Sequence, residues 1–251
     1  MMAAPDLILF LVLTFASSFL QRVTGFGFGI LLMTVLPYLA PSYAEATAVS
    51  GLLAIVNNVV PTVKYRREVF TPSQGRPSGY KLLIITPVCL LFAFFAIRFV
   101  GSADSSLLKH ILGGMLIALS IYFLFVNGRI NIKPSPGAQV GMGALSGAMG
   151  GLFSMQGPPA VIYFLACADT KEEYLGLTQT YFLISNLAMA AFRAGHGMIT
   201  PHVLKMTAIG VVAVLAGLWI GAKVFDRIKV ETLKKAIYVF LAIAGLLALI
   251  Q

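Results

Sequence analysis

The chain has 251 residues, of which 59% are hydrophobic and 11% charged, and its formal net charge at pH 7 is +9. A soluble globular domain carries about twice that charged fraction, and a chain of this length could not hide so much apolar surface from water. The composition excludes a soluble domain and predicts an all-α integral membrane protein.

Eight apolar segments follow one another along the chain. Six are close to the roughly 20 residues that a helix needs to cross the hydrocarbon core. The first and fifth are longer, and each is interrupted, by Thr24–Gly29 (TGFGFG) and by Met155–Pro159 (MQGPP). Glycine and proline are costly inside a helix, so both segments are predicted to break in mid-membrane. The segments span approximately 6–40, 44–64, 80–99, 107–126, 139–168, 173–195, 203–224 and 231–250.

The two interrupted segments are related by an internal repeat. A shift of 128 residues, without a gap, aligns break with break and turn with turn. It predicts two repeats of four segments, residues 1–128 and 129–251. The matched residues are Ser18 and Ser146, Gly29 and Gly157, Ala40 and Ala168, Glu45 and Glu173, and Asn58 and Asn186.

Basic residues in the connections decide between two topologies. If all eight segments cross, nine Lys and Arg residues lie on one side and eight on the other. If segments 1 and 5 are re-entrant, the division is thirteen against four. The positive-inside rule favours the second topology, in which the repeats are inverted. Both topologies place the two termini on the non-cytoplasmic side of the cell membrane, which is the inner membrane in a bacterium.

The matched glutamates each begin an apolar segment. Ser42–Glu45 (SYAE) and Thr170–Glu173 (TKEE) fit the capping box, in which a hydroxyl accepts from a backbone N–H and a carboxylate returns the bond. Helix capping is therefore the favoured role, and proton carriage is the alternative.

A helix broken inside a bilayer leaves backbone groups that must be satisfied by protein or by a polar cavity. Paired breaks in inverted repeats point to a transporter's central site, and half-helix N-termini attract anions. Arg22 lies deep in segment 1, where a charge is costly unless it has a function or a partner, whereas Arg193 is expected to snorkel to the interface. The asparagines either line a cavity or bond between helices. The predicted substrate-binding residues are Arg22, Thr24, Gly25, Gly27, Gly29, Asn57, Asn58, Ser154, Gln156, Gly157, Gln179 and Asn186.

Motifs for chemistry are missing from the sequence. The histidines have no metal-ligand spacing, and no nucleophile-and-base or nucleotide-binding motif occurs. We therefore expect no enzyme activity, no catalytic residue, no metal and no cofactor.

Three glycine patterns carry a family resemblance: Gly25–Gly29 (GFGFG), Gly147–Pro159 (GAMGGLFSMQGPP) and Gly217–Ala222 (GLWIGA). The chain resembles the TauE/SafE family of sulfite exporter-like membrane proteins over its whole length, including its two-fold repeat. The resemblance implies secondary transport of sulfite or organosulfonates.

The residues themselves favour an anion, because basic and neutral donors far outnumber membrane-embedded carboxylates. We expect a secondary carrier, with export favoured, that works by alternating access at a midplane site. An anion channel and a non-transporting membrane assembly subunit are the alternatives. The expected partners are a small anion and membrane lipid, not nucleic acid, and a homodimer is compatible with the sequence.

Overall fold

The computed structural model describes residues 4–70, 72–73, 76–122 and 134–224. The eighth predicted segment, 231–250, lies outside these ranges. A two-residue antiparallel ladder (Pro72–Ser73 with Arg76–Pro77) and a 3-10 helix (Ser78–Leu82) connect α4 to α5. The α-helices are α1 Ala4–Thr24, α2 Phe28–Leu32, α3 Leu36–Leu39, α4 Tyr43–Phe70, α5 Ile85–Ser102, α6 Ser105–Ile121, α7 Pro136–Phe153, α8 Gly157–Cys167, α9 Lys171–Gly195 and α10 Pro201–Val224.

Within the described residues, five helices are long and apolar enough to cross a membrane. Their outward faces carry large apolar side chains, such as Val212 (71% exposed) and Trp219 (62%), which lipid would cover. The chain is therefore a multi-pass helical membrane protein, as its composition predicts. The five spans are Ala4–Thr24, Tyr43–Phe70, Ser78–Ser102, Lys171–Gly195 and Pro201–Lys223.

The first and fifth segments each leave the helical conformation. Between α1 and α2, Gly25 (φ 87°) and Gly27 (φ 106°) adopt left-handed conformations that glycine reaches without steric cost. Between α7 and α8 the left-handed residue is Ser154 (φ 55°), which is not a glycine. We call residues 25–27 the first break and residues 154–156 the second break.

Two helix pairs, α5 with α7 and α1 with α10, pack closely and run parallel. A Cβ atom added at Gly147 would lie 2.2 Å from the carbonyl oxygen of Cys89, so only glycine allows this approach of two backbones. Contacts advance in the same direction along both members of each pair. They join Gly143 with Ile85, Gly147 with Cys89 and Gly151 with Ala93 in the first pair, and Phe15 with Gly217 and Arg22 with Gly221 in the second.

Helices α4 and α9 also pack closely, but they run antiparallel. Gly51, early in α4, approaches Arg193, late in α9. Gly176, early in α9, approaches the backbone of Tyr65, late in α4. This antiparallel pair joins the first repeat to the second.

Hydroxyl groups cap the starts of α4 and α9. The backbone N–H of Glu45 donates to Ser42 Oγ (3.2 Å), and that of Glu173 donates to Thr170 Oγ1 (3.1 Å). This half of each predicted capping box is confirmed.

The carboxylates of these two glutamates pair with cations. Glu45 Oε2 lies 2.9 Å from Nδ1 of His202 in α10, and Glu173 Oε1 lies 2.6 Å from Nζ of Lys81 before α5. Lys81 is buried and also donates to the carbonyl of Cys167 (2.6 Å). Each glutamate therefore fixes the start of its own helix to another helix.

Candidate functional site

The first break is satisfied by neighbouring side chains. The Thr24 hydroxyl donates to the carbonyl of Phe26 (2.7 Å), and Gln179 Nε2 of α9 donates to the carbonyl of Gly25 (2.8 Å). The backbone N–H of Phe28 donates to Gln21 Oε1 (3.1 Å). Protein groups thus replace the lost helical bonds, and the Phe28 amide is already engaged.

The second break depends on distant residues. Ser154 Oγ donates to the carbonyl of Thr47 in α4 (2.9 Å) and accepts from Arg193 Nη2 (3.0 Å). The same Nη2 donates to the carbonyl of Gly150 (3.0 Å). The side chain of Arg193 thereby ties α9 to the end of α7 and, through Ser154, to α4.

Helix α8 is a poorer anion site than sequence reasoning expects. An α-helix leaves its first four N–H groups without an intrahelical partner, but Pro158 and Pro159 occupy two of these positions and have no N–H. Side chains must therefore supply much of any anion binding here.

The two breaks touch each other. A Cβ atom at Gly29 would lie 2.0 Å from the carbonyl oxygen of Ser154, so backbone meets backbone at this point. In the matching contact, a Cβ atom at Gly157 would lie 3.6 Å from Phe26 Cβ. Both members of this second contact are 128 residues from their counterparts in the first.

A cavity of about 20 Å³ lies between the breaks, which is room for a single water molecule. Helices α1, α2, α4, α8 and α9 and the second break form its wall. Its lining residues are Gln21, Gly27, Phe28, Gly29, Ile30, Ala54, Asn58, Ser154, Met155, Gln156, Gly157, Phe182 and Asn186.

Ten of these lining residues form five pairs at the 128-residue spacing of the sequence repeat. Equivalent positions of both halves therefore face the same space. The pairs are Gly27 with Met155, Phe28 with Gln156, Gly29 with Gly157, Ala54 with Phe182, and Asn58 with Asn186.

Asn58 presents a free hydrogen-bond donor in this wall. Its Oδ1 accepts from Gln21 Nε2, but its Nδ2 has no partner among the described residues, although the side chain is 1% exposed. Because a buried donor without a partner costs about 1–3 kcal/mol, this amide is ready to bind an acceptor.

The prediction that Arg193 snorkels is wrong. The residue is 1% exposed, because its guanidinium turns inward to the second break. Within the part of the chain that the structure describes, no carboxylate forms an ion pair with it, and its Nε has no hydrogen-bond partner. Its sequence position near the end of a segment gave no indication of this burial.

Seven of the twelve predicted binding residues line the cavity: Gly27, Gly29, Asn58, Ser154, Gln156, Gly157 and Asn186. The described lining residues do not include the other five. Thr24, Gly25 and Gln179 hold the first break, and Asn57 accepts from the hydroxyl of Ser18 (2.7 Å). Arg22 is half-buried, with its Cβ and Cγ against Gly221 of α10.

Sequence reasoning missed the apolar part of the wall, Phe28, Ile30, Ala54, Met155 and Phe182. The repeat spacing could have identified four of them, since it pairs Phe28 with the predicted Gln156, Met155 with the predicted Gly27, and Ala54 with Phe182. Apolar residues in an apolar sequence offer no other indication.

A multi-pass helical protein with a small polar cavity enclosed by two interrupted segments has the architecture of membrane transporters. The chain belongs to the sulfite exporter TauE/SafE family, whose model matches residues 9–248. It is 24% identical over 217 residues to the probable sulfite/organosulfonate exporter TauE of Cupriavidus necator, covering 83% of this chain and 80% of that protein. No solved structure matches the chain. Family membership makes it a membrane anion transporter and points away from an enzyme.

Proposed function

We propose that the protein is a secondary transporter that exports sulfite or an organosulfonate across the cell membrane. The substrate site is the cavity between the two breaks. The free Nδ2 donor of Asn58 carries this assignment, since an anion would complete its hydrogen bonding. Gln156 and Asn186 add neutral polar groups to the same wall.

We further propose that residues 1–128 and 129–251 are inverted repeats and that segments 1 and 5 are re-entrant. The antiparallel packing of α4 and α9, which are equivalent helices of the two halves, supports the inversion. Helices α1 and α4 both run parallel to α10, with Glu45 and His202 at the starts of α4 and α10. If α1 and α4 run parallel, α2 and α3 return to the side where α1 begins.

The second half has the same arrangement. Helix α7 runs parallel to α5, and so does α9, which meets the α5 segment at Lys81 near its start and at Phe94 further along. In this topology both termini lie outside the cytoplasm, and thirteen basic residues face the cytoplasm against four on the other side.

The small volume of the cavity favours a carrier over an open pore. A space of about 20 Å³ holds one water molecule, whereas a sulfonate group contains one sulfur and three oxygen atoms. The breaks must therefore separate at Gly29 and Ser154 to admit the substrate. Movement of one repeat against the other would open the site to each side in turn. An inside-negative potential drives anions outward, so export needs no coupling ion.

Cysteine labelling of intact cells tests the topology. Single cysteines at the exposed positions Ser102, His196 and Glu172 are treated with a membrane-impermeant maleimide, and the unmodified chain, whose Cys89 and Cys167 are buried, is the control. We expect Ser102 and His196 to react from outside and Glu172 to be protected. Eight full crossings would place Ser102 and Glu172 on one side and His196 on the other.

Transport in proteoliposomes tests the function. Radiolabelled sulfite and sulfoacetate should show saturable uptake and counterflow, which a channel does not show. Asn58→Ala should remove most of this uptake. Asn57→Ala is the matched control, because both asparagines are buried with a free Nδ2 but only Asn58 is among the lining residues. Uptake without counterflow would contradict the carrier, and equal loss in both variants would contradict the site.

A further inference from the structure

The buried guanidinium of Arg193 is a charge without a counter-charge. Among the described residues the ion pairs are Lys81 with Glu173 and Glu45 with His202, and neither includes Arg193. Tyr43 of α4 lies within electrostatic range, but a phenol is neutral at physiological pH. Burying an arginine in this way is expensive unless something offsets it.

Arg193 is separated from the cavity by one side chain. Its Nη2 lies 3.0 Å from Ser154 Oγ, and Ser154 lines the cavity. A ligand atom in contact with Ser154 would therefore lie within about 6 Å of the guanidinium, two hydrogen-bond lengths away. The lining residues themselves are all uncharged.

We infer that Arg193 is a specificity-determining residue that selects a singly charged anion. This inference rests on the proposed function and narrows its substrate to monoanions, such as hydrogensulfite or a monosulfonate. One negative charge neutralises the buried guanidinium. A second charge would be buried without a partner, which proteins avoid because of the desolvation cost.

A transporter gains from this match. When the monoanion is bound, the site is electrically neutral and can pass through the low-dielectric interior at a small electrostatic cost. The carbonyl of Gly150 and the hydroxyl of Ser154 hold the guanidinium in place. Arg193 acts through Ser154, so its role is electrostatic and positional.

Three tetrahedral sulfur compounds of similar size test the inference: methanesulfonamide (neutral), methanesulfonate (one negative charge) and sulfate (two). Their binding to the purified protein in detergent is measured by isothermal titration calorimetry and by thermal stabilisation. We expect methanesulfonate to bind at least ten times more tightly than either of the others. Equal or tighter binding of sulfate would overturn the monoanion assignment.

Arg193→Gln should weaken methanesulfonate binding on the order of 100-fold, as expected for two unit charges about 6 Å apart at an effective dielectric constant near 20. It should leave methanesulfonamide binding nearly unchanged, which a general structural defect would not do. Arg193→Lys should retain the preference for methanesulfonate. Arg98→Gln, an exposed arginine in α5, is the control for loss of one positive charge.

Arg22→Gln separates this inference from the expectation based on sequence. If the preference for methanesulfonate is lost in Arg22→Gln and kept in Arg193→Gln, the assignment to Arg193 is overturned. If Arg193→Gln does not fold, the ranking of the three compounds by the unmodified protein still decides the charge preference. If the unmodified protein binds none of a panel that also includes sulfite and sulfoacetate, the proposed function itself is overturned.

Discussion

The two breaks occupy equivalent positions in the repeat but are stabilised differently. The first break contains Gly25 and Gly27, whose left-handed conformations are accessible to glycine at little cost. The second has Ser154 in a left-handed conformation, which costs a non-glycine residue roughly 1–2 kcal/mol. Arg193 and the Thr47 carbonyl hold Ser154 there.

The difference indicates that the first break is encoded locally and the second by tertiary contacts. Residues next to the first break suffice to predict it, because glycine alone allows its backbone conformation. The second break depends on α4 and α9, which meet it only in the folded protein. We expect the second break to be the one that responds to the substrate, since its conformation depends on neighbours that line or adjoin the cavity.

The largest predicted effect separates the equivalent glycines Gly29 and Gly157. Gly29→Ala places a methyl group 2.0 Å from the carbonyl oxygen of Ser154, so the breaks must separate and the free energy of unfolding should fall by at least about 3 kcal/mol. Gly157→Ala meets its nearest atom at 3.6 Å and should change stability by less than about 1 kcal/mol. Thermal unfolding in detergent measures both, and equal effects would show that the contact is two-fold symmetric.

The two glutamate ion pairs should differ nearly as much. Glu173→Gln leaves the ammonium of Lys81 buried without a carboxylate, and breaking such a pair costs about 3–5 kcal/mol. Glu45→Gln affects a pair in which His202 is 35% exposed, so a loss of about 1 kcal/mol or less is expected. Stability of the two variants in detergent, compared with the unmodified protein, checks the order. A larger loss for Glu45→Gln would contradict it.

A smaller effect tests the backbone of the second break. Ser154→Ala and Ser154→Gly lose the same two hydrogen bonds, to Thr47 and from Arg193. Only glycine also relieves the left-handed conformation, so Ser154→Gly should be more stable than Ser154→Ala by about 1 kcal/mol. The order would reverse if Ser154 were free of strain. The midpoints of thermal unfolding of the two variants provide the measurement.

Much of the helix pattern and part of the site can be predicted from the sequence. Long apolar segments and glycine or proline interruptions are local properties, and the helices of the first seven segments begin and end within about six residues of the predicted bounds. The repeat places Asn58 and Asn186 together, and both line the cavity.

The charged residue of the site could not be predicted in this way. Depth along a segment favours Arg22 over Arg193, but which residue faces the interior depends on how the helices rotate and pack. Arg193 faces Gly51 of α4, a contact between residues 142 positions apart in the chain. Neither periodicity nor the repeat contains that information, since the residue equivalent to Arg193 is Tyr65.

The central claim is that a small anion binds between the two breaks, and a crystal structure with 2-bromoethanesulfonate tests it most directly. Bromine scatters anomalously, so one map locates the bound ligand without ambiguity. We predict an anomalous peak between the breaks, with the sulfonate close to Nδ2 of Asn58 and to Ser154. A peak at another place, with none between the breaks at a concentration that stabilises the protein against heat, would contradict the account.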